Sequence, residues 1–240
     1  HAYAQPMNDV IPTLATVWGD RTYVASVAMK AQAEMFLILA RSLIEIGADI
    51  HVHGDGLLPA MFNTPPEVLT ERDKYRVMWG IDSYRTVAPG EDVAPLFLEV
   101  VKPDGVVVDF GCGTGRGALA LERAGVKVFL TDFAGNCRDA EANGLPFMEW
   151  DMTEPCPMGL SAPYGFCTDV MEHIPPEDAG KVLSNIFAAV PRCFFSIGTT
   201  PDTGGALIQQ TLHVNVMDHA AWRDVLSRFG RIAFEERQET

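Results

Sequence analysis

Residues Val106 to Leu121 read VVVDFGCGTGRGALAL, with glycines at 111, 113, 115 and 117 behind three valines. Glycine gives up more backbone freedom on folding than any other residue, so it is costly inside a strand or a helix. Four of them at one junction mark a sharp turn with bare main chain. The valines predict a strand at 106–110, and the apolar run after the glycines predicts a helix over 116–124. Bare amides at a helix N-terminus form a berth for a ligand lying against the backbone.

The next predicted strand, 126–131, places Asp132 at its tip, 21 residues after Gly111. A carboxylate at that tip can accept hydrogen bonds from both hydroxyls of a ribose. Glycine turn plus acid is a nucleoside-cofactor pattern that does not by itself say which cofactor. Gly113, Gly115 and Ala118 satisfy the G-x-G-x-x-[GA] fingerprint, which keeps an NAD(P)-dependent oxidoreductase open.

Alternation continues downstream. A helix is predicted at 135–142, strands at 146–150 and 164–169, a helix at 177–190 and a strand at 193–197. A helix at 218–229 and a strand at 231–236 follow. Pro176, Glu177 and Asp178 suit a helix start. Asp218 is an N-cap for the later helix, and Gly230 stops it. Upstream, 93–101 reads as a short helix behind a loop at Pro89-Gly90. Such βα units imply an α/β fold, with a doubly wound, mostly parallel sheet whose ligands sit at the C-terminal strand edge.

The most apolar stretch, Tyr23 to Gly47, carries Lys30, Glu34, Arg41 and Glu45 within roughly 60° of one another on a helical wheel. It therefore reads as a buried helix with one wet stripe, not a membrane span. A short strand and a glycine turn in ADIHVHGDG follow. This predicts an N-terminal α/β segment over 1–62, a linker and covering segment over 63–92, and the main domain over 93–240. His51, His53 and Asp55 lack a further ligand at recognisable spacing, and no metal site is assigned. The net charge of −14 argues against nucleic acid and against anionic lipid. Five scattered cysteines imply reduced thiols and a cytoplasmic location. The chain opens on His1, which reads as a processed or excised piece.

The string Asp109-Phe-Gly-Cys-Gly-Thr-Gly115 resembles the class I S-adenosylmethionine (SAM)-dependent methyltransferases, and the resemblance runs in family order from Val106 to about Thr199. It implies a Rossmann-like sheet, SAM as cofactor, and a loop of Asp109, Gly111, Cys112, Gly113 and Gly115 around the methionine end. TDFAGNC resembles the second motif, implying Asp132 on the ribose and Phe133 beside the adenine. MEWDM resembles the third, implying Asp151 on the adenine amine and Met152 along the ring, although Asp151 also suits a turn. GFCTDVMEHIPPED resembles the fourth, placing Thr168 at the cofactor and Asp169 to His173 beside the transferred methyl. RCFFSIGT resembles the fifth strand. YRVMWGIDSYRTVAPGED resembles the segment that closes over SAM, implying contacts from Tyr84 and from Arg85, a partner for the cofactor carboxylate. TLHVNVMDHAAWRDVL resembles the substrate side and turns His213 toward the pocket.

The resemblance implies methyl transfer to a small-molecule or sugar-like acceptor, with His173, Asp169 and His213 as the candidate catalytic residues and His173 the acid/base group where the acceptor keeps a proton. His173 and His213 each also suit a hydrogen-bonded structural role. Asp109 also suits a structural role in the loop, Cys112 a small space-filling one, and Glu172 a cap or solvated place before Pro175. Trp222 and Phe187 read as core. The Asp169-Val-Met-Glu-His string is not the Asn/Asp-Pro-Pro-Tyr/Phe motif of DNA amine methyltransferases, so nucleic acid is an unexpected acceptor. The family closes with an antiparallel strand pair, whose last member is expected to be missing or displaced here. Residues before Asn63 resemble the end of a Rossmann-like domain of motility-accessory and pterin-pyrophosphokinase-like proteins. That orphan piece motivates another alternative, a non-catalytic interaction module.

Overall fold

The computed structural model describes residues 13–18, 21–26, 69–156 and 159–237. In chain order these form β1 (Thr13–Trp18), β2 (Arg21–Ser26), α1 (Glu71–Met78), α2 (Asp82–Arg85) and α3 (Pro89–Val101). Then come β3 (Val107–Phe110), α4 (Arg116–Arg123), β4 (Val128–Asp132), β5 (Phe147–Glu149) and β6 (Tyr164–Thr168). The last are α5 (Pro176–Ala189), β7 (Cys193–Ser196) and α6 (His219–Ser227). The chain divides into two compact units, His1–Leu69 with Gly205–Gln210, and Thr70–Gly204 with Thr211–Thr240.

In the first unit β1 and β2 pair antiparallel, Thr13 opposite Ser26 and Trp18 opposite Arg21. This corrects the helix expected from Tyr23, because Tyr23 to Ser26 belong to a strand. Thr22, Tyr23 and Val24 are strand-favouring residue types, and pairing with β1 outweighs the helical pattern that follows them. The rest of that expected helix, the strand after it, and His51, His53 and Asp55 lie outside the described residues.

In the second unit five parallel strands run in the order β5-β4-β3-β6-β7. Neighbouring residues of β3 point to opposite faces, as extended backbone requires. Val108 and Phe110 join α5 residues Val182, Leu183 and Ile186 in one buried cluster. Val107 joins Phe97 of α3, Leu121 of α4 and Phe166 of β6 in another. Both faces of the sheet are therefore covered, which explains why its strands are nearly continuous apolar runs. Strand order reverses between β3 and β6, so the chain leaves their C-terminal ends toward opposite faces, where a ligand crevice is expected.

Three elements differ from expectation. Residues 231–237 form no strand. Glu235 instead accepts from Arg223 Nε at 2.9 Å and stands 3.6 Å from His219 Nε2, which holds the segment to α6. The helix expected at 135–142 is a 3₁₀ turn at Ala140–Gly144. Asn136 and Asp139, which would begin it, spend their side chains on Arg76, Arg85 and Arg116, and these tertiary bonds outweigh the local helical pattern. Pro89-Gly90, expected in a loop, opens α3 instead, where proline's fixed φ suits the first turn. Likewise Arg72, expected in the linker, lies in α1, whose N-cap Thr70 accepts from Asp73 N at 3.2 Å. Among the described residues no helix is long and apolar enough to cross a membrane.

Phe166 has no exposed surface and packs edge-on to Phe97 with ring centroids 5.1 Å apart. Phe166→Ala should lower stability by about 3–5 kcal/mol, read as a shifted urea midpoint in the full chain. A shift below about 1 kcal/mol would show that this aromatic layer is not a centre of the core.

Candidate active site

The glycine loop leaves β3 with φ of +68° at Gly111, +50° at Gly113 and +79° at Gly115, a region that side-chain-bearing residues rarely adopt. Its position is fixed from β4. Cys112 N donates to Thr131 O at 2.9 Å and Gly113 N to Asp132 Oδ2 at 3.0 Å. Asp132 Oδ1 accepts from Ala134 N at 2.9 Å. Asp132 is 5% exposed; burial pushes its carboxyl up to about 6 against the opposing amide bonds. Asp109, the last residue but one of β3, is its neighbour, and burial together with the Asp132 charge raises its carboxyl to about 7.

A cavity of about 640 Å³ opens at this edge of the sheet. It is lined by Asp109, Gly111, Cys112, Gly113, Asp132, Phe133, Asp151, Met152, Thr168, Asp169, His173, His213 and Tyr84. The structure thus brings most of the sequence-predicted residues to one place. Gly115 is not in the lining; a Cβ there would lie 2.6 Å from Ala142 Cβ, so its role is close packing. Arg85 is also elsewhere: its Nη2 donates to Asp139 Oδ1 at 2.6 Å and its Nη1 to Trp79 O at 2.9 Å. Asp151 uses Oδ1 to accept from Thr153 N and Oγ1, a turn role that leaves Oδ2 for other partners. The Cys112 thiol is held protonated, its pKa raised by a hydrogen bond with Cys137 and by burial.

One side of the cavity carries a cluster that the sequence only partly announces. Asp169 follows β6 with φ +59°, an uncommon conformation for a residue with a side chain. Its Oδ2 stands 3.8 Å from His173 Nε2. Burial would raise the Asp169 carboxyl, but the His173 hydrogen bond and charge outweigh it and the net shift is downward. For His173 burial pulls down while Asp169 and Glu172 pull up, and the net shift is upward. Glu172, expected as a cap or a solvated residue, has no exposed surface at all. Burial, then the Asp169 charge, push it up to about 7, and its Oε1 accepts from Gly198 N.

The covering segment supplies residues that sequence reasoning missed. Tyr75 of α1 is buried, and its hydroxyl bonds His173 Nδ1. Trp79 lies over the loop, where a Cβ on Gly113 would meet its Cη2 at 2.9 Å. Their four-residue spacing, one face of a helix, was the available signal. Asp139 ties this segment down by accepting from both Arg85 and Arg116, the latter through Nε at 3.0 Å. Nothing local in the sequence pointed to Asp139.

No protein-family model matches the sequence, and no curated protein does. Solved structures do resemble it. A 1,6-didemethyltoxoflavin-N1-methyltransferase from Burkholderia thailandensis, solved with S-adenosylhomocysteine (SAH), superposes with a TM-score of 0.52 at 16% identity, covering 75% of this chain and 81% of that one. Magnesium protoporphyrin IX methyltransferase from Synechocystis, solved with SAM, gives 0.47 at 19% identity over 75% and 88%. The PH0226 protein of Pyrococcus horikoshii OT3 gives 0.40 at 21% identity over 49% of this chain, which spans 60% of that protein. The structural neighbours include class I SAM-dependent methyltransferases, and the second unit has their Rossmann-like fold.

Asp139→Ala removes the carboxylate that Arg85 and Arg116 share. Hydrogen bonds to charged groups contribute about 1.5–3 kcal/mol each, so amide exchange across α2 should accelerate by about tenfold or more, measured by mass spectrometry. Unchanged exchange at residues 82–87 would show that Asp139 does not hold the covering segment.

Proposed function

We propose that this protein transfers a methyl group from SAM to a small-molecule acceptor. The observation that carries the reading is the convergence, at the strand-order switch, of the bare 111–113 backbone, the buried Asp132 carboxylate and the Asp169–His173 cluster on one cavity.

The donor set fits SAM better than a dinucleotide. Seven lining residues are Asp or Glu and one, Arg72, is basic. Arg72 is engaged with Glu149 and with Phe133 O. An anionic pyrophosphate would meet a lining in which carboxylates far outnumber Arg and Lys, whereas a ligand with an ammonium, a sulfonium and a ribose diol meets matching charge and acceptors. Asp132 would take the ribose hydroxyls, and Phe133 and Met152 would flank the base with Asp151 at its edge. Asp109 would face the ammonium end across the loop. Tyr84 and Trp79 close the cavity over the ligand and keep water out. When bound, SAM supplies a methyl carbon already activated as a sulfonium.

The residues therefore have mainly to align the acceptor and exclude water. Asp169, His173 and His213 form the acceptor side. His173 is the proton-accepting group of that face, its ring fixed by Tyr75 and by Leu212 O at 3.1 Å from Nδ1. The acidic lining and the net charge of −14 favour a small neutral or cationic acceptor over nucleic acid. None of the five cysteines is in a disulfide, which suits a reducing compartment.

Calorimetry of the full chain should show SAH binding and no response to NADH; the reverse result would overturn the reading. Asp132→Asn, which keeps the side chain's shape, should weaken SAH by about 10–100-fold. A carboxylate raised to about 6 and needed in its ionised form sets the pH dependence. Affinity should be level above that value and fall as pH drops through it, by at most about tenfold per unit. An affinity that rises on acidification would remove Asp132 from the contact.

A further inference from the structure

Asp169, Glu172, His173 and His213 each offer one ligand atom, and these four atoms all lie within 4.8 Å of one another. Three further observations bear on the cluster. Glu172 is wholly buried, its Oε1 occupied by Gly198 N, and its Oε2 has no hydrogen-bond partner. A buried carboxylate oxygen without a partner is costly, and in a protein interior it calls for a proton or a cation. Both imidazoles also place Nδ1 against oxygen, Leu212 O at 3.1 Å and the Tyr75 hydroxyl for His173, and Thr200 O at 2.6 Å for His213. An Nδ1–H that donates to a carbonyl leaves Nε2 with its lone pair, which is how ligating histidines are held. The rings meet edge to face with centroids 4.6 Å apart, close enough to share one ion.

The surroundings are shaped for this approach. A Cβ on Gly198 would lie 2.6 Å from Glu172 Oε1 and 3.1 Å from His213 Cε1, so only glycine lets these two groups converge beyond β7. Asp169 reaches the cluster through its left-handed backbone, an outlier of the kind that collects at functional sites. Asp169, His173 and His213 line the cavity, whereas Glu172 lies outside its lining.

We propose that these four side chains form a divalent-cation site with an open coordination position toward the acceptor side of the cavity. Two imidazoles with two carboxylates suit first-row ions such as Mn²⁺, Fe²⁺ or Zn²⁺ over the all-oxygen cages of Ca²⁺. The open position takes an oxygen donor, so the matching acceptor class carries hydroxyl or carboxylate oxygens. That last step rests on the methyltransferase reading; the cation site does not. With the ion bound, His173 is a ligand and no longer the proton acceptor.

The test is a titration of the metal-free full chain with Mn²⁺, following loss of the free-ion signal by electron paramagnetic resonance. One Mn²⁺ per chain is expected. His213→Ala, at a half-buried position, and the shape-conserving Glu172→Gln should each weaken binding by about tenfold or more, the order seen when the supports of a metal site are removed. Thermal melting checks that each variant folds, and if Glu172→Gln does not, His213→Ala decides alone. No loss of signal, or loss that survives the substitutions as weak surface binding, overturns the site. SAH calorimetry on the same samples separates the two ideas. SAH binding without Mn²⁺ binding sinks the cation site only, and Mn²⁺ binding without SAH binding sinks the donor reading only.

Discussion

The hydrogen bond from Gly113 N to Asp132 Oδ2 joins the two strand ends on which the cavity is built. It couples a glycine loop, in which Cys112 and Thr114 are the residues with side chains, to the tip of the neighbouring strand. Because Asp132 is also anchored through Ala134 N, neither partner can move without breaking buried polar contacts. The reversal of strand order between β3 and β6 leaves the space, and this tie fixes its floor. The cost is a carboxylate held in a low-dielectric place, which is why its protonation lies near the edge of the physiological range.

The wall opposite the glycine loop follows a different logic. There the polar groups come from the stretches that follow β6, β7 and residue 211, which are distant in sequence. Their approach depends on the left-handed Asp169 and on the missing side chain at Gly198. The result is a dense set of titratable groups under the covering segment, with Tyr75 reaching down to it from α1. The glycine-loop wall and the histidine wall are thus separately built, and residues of α1 and α2 line the cavity between them.

The glycine loop and the acid at the neighbouring strand tip were legible from sequence because they are local. Val106 to Asp132 is one βαβ unit, and glycine spacing plus a strand-tip acid can be read without knowing any long-range contact. The sheet was legible for the same reason, since buried parallel strands are continuous apolar runs. Misreadings fell where tertiary partners overrode local pattern. Asn136 and Asp139 favour neither helix nor strand until their arginine partners are known. Residues 231–236 alternate like a strand, yet Glu235 pairs with α6. Glu172 read as a surface residue because nothing in MEHIPPED shows that β7 and His213 enclose it. Arg85 read as a ligand partner because the competing Asp139 is 54 residues away.

The central claim is that the 111–113 backbone and Asp132 hold an adenosyl ligand with its sulfur toward the Asp169 cluster. A crystal structure of the full chain grown with saturating SAH tests this most directly. The account predicts the ribose hydroxyls within hydrogen-bond distance of Asp132 and the sulfur facing Asp169 and His173. Density for SAH elsewhere, or an empty loop at saturation, would contradict it.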